Sequence, residues 1–125
     1  MDVFNLSVKQ LTKKIKDAQL TSVDLCKAYI ERIDKFEKDI HAWAHFDKKN
    51  LLEKAEESDN NRRSGKPLGL LHGIPVALKD IIGTFDMPTE CGSVLRKGMS
   101  ASQDAEIVDL LKSEGAIIMG KTATS

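Results

Sequence analysis

The sequence predicts an α/β fold, with N-terminal helices followed by the start of a largely parallel sheet. Three observations carry this expectation. Apolar residues recur at helical spacing through the first third of the chain. Two short runs rich in Ile, Val, Ala and Leu come later, at 74–78 and 115–120. Between them lies a further segment of helical periodicity, around 103–113. Strand, helix and strand in that order form a βαβ unit with a parallel pair and a right-handed crossover.

The helices come first. Ser7 followed by Gln10 matches a capping box, after which Val8, Leu11, Ile15 and Ala18 share one helical face. Thr21 with Asp24 repeats the signal. Cys26, Tyr29, Ile30, Ile33 and Phe36 then form an apolar stripe, with Glu31–Lys35 and Asp34–Lys38 as i,i+4 pairs on the polar side. HAWAHF, residues 41–46, alternates and predicts a short strand. A third helix is expected over 50–60, carrying Leu51, Leu52 and Ala55. NNRRSGKPLG, residues 60–69, has the composition of a solvated loop, although its basic residues also suit a phosphate.

The strand at 74–78 follows, with Pro75 tolerated near its start. Residues 83–102 contain Gly83, Pro88, Gly92 and Gly98 and form a long connection of the kind that is usually functional. The last helix presents Ala105, Val108 and Leu111 on one face and leads into the second buried strand. Two strands cannot cover both faces of a parallel sheet, so the expected architecture is incomplete.

Bulk properties narrow the function. At 125 residues the chain is one domain's worth, with enough length for a real core. Nineteen basic residues balance nineteen acidic ones, which gives no global attraction to nucleic acid or to an anionic membrane. The N-terminus lacks the pattern of a signal peptide, and no apolar stretch approaches a bilayer's thickness. Cys26 and Cys91 are too few for a disulfide framework. A reducing, cytoplasmic setting is expected.

Several residues are candidates for chemistry. Gly115 to Thr122 satisfies the letters of a phosphate loop, G-x-x-x-x-G-K-[ST]. Its intervening Ala, Ile, Ile and Met follow a helix and are better strand residues than an anion cradle. His41 and His45, in the expected strand, lie too far apart to chelate alone, and His72 reads as a turn residue. Cys91 has Glu90 beside it, which disfavours a thiolate. Lys79, in GIPVALKD, finishes an apolar run with a charge. It is either a lysine snorkelling to solvent or one delivered to the carboxyl end of a strand, where α/β folds place ligands.

LHGIPVALKD, the PTECGS stretch, and DAEIVDLLKSEGAIIMGKT at their spacing resemble the N-terminal part of the amidase signature family; LTSVDLCKAYIERI is similar to its opening helices. That resemblance implies a large mixed sheet surrounded by helices, of which residues 1–125 would be the N-terminal part, helical over 1–63 and α/β over 68–125. It also implies hydrolysis of a carboxamide C–N bond by a serine–cis-serine–lysine triad. Lys79 takes the lysine role, drawing a proton through a bridging serine from the nucleophilic serine. No cofactor or metal is implied.

The Gly/Ser-rich segment that carries both serines in the family has no counterpart among the 125 residues, and Ser93, Ser100 and Ser102 stand in the wrong context. The chain alone is therefore expected to be inactive, with a small-molecule amide as the substrate of the complete enzyme. The expected partners are a C-terminal portion or a second copy, with no direct nucleic-acid or membrane contact. The residues after Lys-Asp favour a stand-alone small-amide hydrolase over the A subunit of a glutamyl-tRNA amidotransferase. Two readings from other chemistry stay open: a Schiff-base lysine at position 79, and a non-catalytic module that pairs through its unpaired strand edge.

Overall fold

A computed structural model describes residues 2–124. After a single 3₁₀ turn at Val3–Asn5, the elements are α1 (Val8–Lys16), α2 (Ser22–Ile40), β1 (Trp43–Phe46), α3 (Lys48–Arg63), β2 (Pro75–Lys79), α4 (Glu106–Ser113) and β3 (Ile117–Thr122). The fold is mixed α/β, as expected from the sequence. Among the described residues no helix is long and apolar enough to cross a membrane.

Local chemistry sets the helix boundaries. The Ser7 hydroxyl accepts the Gln10 N–H at 3.1 Å while the Gln10 side chain accepts the Ser7 N–H at 2.8 Å, a complete capping box. Leu11 and Ile15 are buried, but Val8 is half exposed and Ala18 lies beyond the helix with φ 60°. The chain turns there so that Leu20 can enter the core. α2 runs to Ile40, and His41 caps it in the left-handed region with φ 54° rather than starting a strand. The Glu37 carboxylate then accepts the N–H groups of Ala42 and Trp43, fixing the bend into β1. Asp34 pairs with Lys48 of α3 instead of Lys38.

α3 extends through Arg63, so residues 60–63 are helical rather than loop. Arg62 and Arg63 fall in its last turn, where cations complement the helix dipole.

The sheet order is β1–β3–β2. β2 and β3 are parallel neighbours, as a βαβ unit requires, and β1 runs antiparallel on the other side of β3. The strand nearest the C-terminus is therefore central. Its residues face both ways: Ile117 and Met119 join Cys26, Leu51 and Ala55 beneath α2 and α3, while Ile118 joins Leu78, Met87 and Val108. Burial on both faces explains why this strand reads as an unbroken apolar run. A separate cluster of Val3, Leu11, Ile15, Leu20, Leu25 and Ile74 joins α1 to α2 and the entrance of β2. Because 117–122 is a strand whose backbone belongs to these ladders, it forms no phosphate cradle.

Gly120 is required by the β1–β3 contact. A Cβ there would stand 2.5 Å from the His45 carbonyl oxygen and 2.9 Å from the Trp43 ring.

Candidate functional site

Lys79 is the last residue of β2, with its Cα opposite Thr122 of β3 and its side chain exposed. The backbone turns sharply after it. Ile82 donates its N–H to the Lys79 carbonyl at 3.0 Å, and Asp80 donates its N–H to the Thr122 carbonyl at 2.9 Å. Asp80 is buried. Its carboxylate accepts the Glu90 N–H at 3.2 Å, and its carbonyl accepts the Cys91 N–H at 2.9 Å. The far end of the connection is thus folded back onto the residue after Lys79.

The interior of this connection is organised around a second lysine. Lys121, the residue of β3 opposite Leu78, has a fully buried side chain. Its ammonium donates to the carbonyls of Ile82 (2.9 Å) and Pro88 (3.1 Å) and to the Thr89 hydroxyl (2.9 Å). An ammonium has three donors, and three oxygens meet them. Burial pushes the Lys121 ammonium below its ordinary value, opposed chiefly by the negative charge of Asp80. Around it, Thr84 donates its hydroxyl to the Met87 carbonyl at 3.2 Å and its N–H to the Thr89 hydroxyl at 3.3 Å. The segment 82–89 is therefore held by polar contacts rather than by a ladder.

The remaining candidates lie elsewhere. His41 is an exposed helix cap and His45 sits in β1 opposite Lys121, on a different element. Among the described residues, no group of three or more His, Cys, Asp or Glu is placed to hold a metal. His72 is buried in the turn before β2, where its ring hydrogen-bonds the Ser58 carbonyl at 2.8 Å and ties that turn to α3. Ser93 caps a short 3₁₀ turn, accepting the Leu95 N–H at 3.3 Å, and Ser100 and Ser102 are exposed. The Cys91 backbone is left-handed, with φ 54°, while the Glu90 carboxylate accepts the Gly98 N–H at 2.6 Å.

Sequence reasoning overlooked Lys121. The signal was available, since a lysine closing the apolar run IIMGK poses the same question as the one closing PVALK. The phosphate-loop letters drew attention to the wrong property of that residue.

The sequence model of the amidase family matches residues 24–125. The chain belongs to that family. The A subunit of the glutamyl-tRNA(Gln) amidotransferase of Streptomyces coelicolor is 36% identical over 121 residues, which is 97% of this chain and 24% of that protein. The corresponding subunit of Rhodopirellula baltica is 37% identical over 93% of this chain and 23% of its own length. Among solved structures, native peptide amidase from Stenotrophomonas maltophilia superposes with a TM-score of 0.87 at 34% identity, covering 94% of this chain and 24% of that one. An amidase family protein from Bacillus anthracis gives 0.85 at 34% identity, over 97% and 24%. The chain spans about a quarter of the length of these relatives.

Proposed function

We propose that this chain forms the N-terminal part of one amidase signature domain and supplies the lysine of an amide-hydrolysing site. The observation that carries the proposal is the placement of Lys79. Its side chain is exposed at the carboxyl end of a strand, beside the central strand, where α/β sheets bind ligands. A neutral amine there accepts a proton relayed through one serine hydroxyl from another, and the second serine attacks the amide carbonyl. Backbone N–H groups stabilise the oxyanion, the amine or ammonia leaves, and water releases the acid. On this reading both serines come from a Gly/Ser-rich segment that has no counterpart in these 125 residues, and the expected result for the chain alone is no turnover of amides.

The names of the relatives divide between a tRNA-dependent amidotransferase subunit and a peptide amidase. Cleavage of a carboxamide C–N bond is the step common to both. A stand-alone hydrolase of small amides remains the preferred reading for this chain.

The test is Lys79→Ala in a complete amidase polypeptide that carries this chain, assayed on small carboxamides. Loss of nearly all turnover with retained folding is expected, and turnover like that of the parent would sink the assignment. Release of ammonia from free glutamine only when a tRNA-charging partner is present would move the substrate class to the amidotransferase.

A further inference from the structure

We propose that Lys121 is a positioning residue for Lys79: its buried ammonium fixes the turn on which the exposed lysine stands. This rests on the catalytic reading of Lys79 above.

The geometry that supports it is a chain of three contacts. Ile82 closes the turn by donating to the Lys79 carbonyl, and the carbonyl of the same Ile82 accepts from Lys121. Lys121 also grips Pro88 and Thr89, on the return limb that leads to Glu90 and Cys91. Those two residues in turn hold Asp80, the immediate neighbour of Lys79. One ammonium therefore joins the outgoing and returning limbs of the connection. The backbone of Thr122, the next residue along β3, fixes Asp80 from the other side.

A buried cation is an expensive way to achieve stability, because a well-packed apolar residue often serves as well or better. What an apolar side chain cannot do is hold three oxygens from two limbs in one geometry. Without Lys121, Ile82, Pro88 and Thr89 lose a shared donor and the turn after Lys79 loses its inner brace. Catalysis is sensitive to such displacement, since a shift of about 1 Å in a reacting group can cost on the order of 100-fold.

The test uses the complete amidase polypeptide carrying this chain, with Lys121→Met to keep the apolar volume. A fall in kcat of about 30- to 100-fold with KM within about threefold of the parent is expected. Faster hydrogen exchange at the Ile82 amide should accompany it, with the amides of α2 unchanged. A folded Lys121→Met enzyme with the parent's kcat overturns the proposal, as does a rise in KM alone. Should that variant not fold, Thr89→Val removes one acceptor and keeps the ammonium. A several-fold loss of kcat then supports the proposal, and an unchanged kcat overturns it. Lys79→Ala run in parallel separates the two claims. If Lys79→Ala is active, the catalytic reading falls; if it is inactive while folded Lys121→Met matches the parent, only the positioning role falls.

Discussion

Asp59 accepts the backbone N–H of Ser22 at 2.8 Å, across 37 residues of sequence, and with its other carboxylate oxygen takes the Val23 N–H at 3.0 Å. A buried carboxylate on α3 thus caps the first turn of α2, where orphan donors and the helix dipole both favour a negative charge. Asp59→Ala leaves two N–H groups without partners and should lower unfolding free energy by about 2–3 kcal/mol in a urea titration. Asp59→Asn keeps one acceptor and should lose less. A loss below about 0.5 kcal/mol for the alanine variant would show that the cap contributes little.

Gly120→Ala should detach β1 from the sheet. The new methyl would meet the His45 carbonyl and the Trp43 ring, and backbone cannot yield as a flexible side chain does. A destabilisation of about 3 kcal/mol is expected, at the upper end of ordinary overpacking. Trp43 is the only tryptophan, so its emission should shift to the red in the native variant. Unchanged emission and melting temperature would refute this.

The two cysteines should differ in reactivity. Burial pushes the Cys26 thiol from an ordinary 9.0 up to about 12, against a hydrogen bond with Ser22 and with the Asp59 charge adding to the rise. Cys91 is only half-buried. At pH 8 a thiol reagent should modify Cys91 in the native chain and both cysteines in urea. Because the folded value is raised, the neutral Cys26 thiol contributes stability that is fully present below about pH 9. That contribution is lost as pH climbs towards 12. Native labelling of Cys26 at a rate like that in urea would contradict the assignment.

Acid should weaken the 104–112 corner. Burial alone would raise the Asp104 carboxyl, but the Lys112 ammonium at 2.7 Å and the Phe85 N–H at 3.0 Å hold it below the ordinary carboxylate range. A depressed carboxylate contributes stability that is present above its unfolded value, near 3.8, and lost as pH falls through the lower folded value. Melting temperatures measured from pH 5 down to pH 2 should fall less steeply for Asp104→Asn than for the parent. Parallel acid limbs for the two proteins would count against this contribution.

Much of this architecture was legible because local chemistry and global fold agree. The Ser7–Gln10 box, the α2 stripe and the βαβ order all depend on residues close together in the chain. What was not legible depends on particular backbone and side-chain contacts that apolar periodicity does not encode. Nothing near His41 announces that Glu37 will take the next two N–H groups and convert an expected strand residue into a helix cap. Arg62 and Arg63 have loop-like neighbours, yet they complete the last turn of α3. The site divides in the same way. Lys79 could be singled out from its own neighbours, because a charge closes an apolar run. The same local signal marks Lys121, but the carbonyls it meets lie more than thirty residues away, and no local pattern specifies them.

The sheet order also dictates when the molecule can be assembled. Of the three strands among the described residues, β3 is made after β1 and β2 and touches both of them. A nascent chain that has reached Leu111 carries two outer strands with nothing between them, and its helices can associate only through their own faces. Pairing of Trp43 with Thr122 closes a long stretch of chain late, and contacts of such sequence separation form slowly. Synthesis therefore delivers α1, α2 and α3 before these three strands can pair, and the turn that carries Lys79 makes its contacts with Lys121 and Thr122 only after both have emerged.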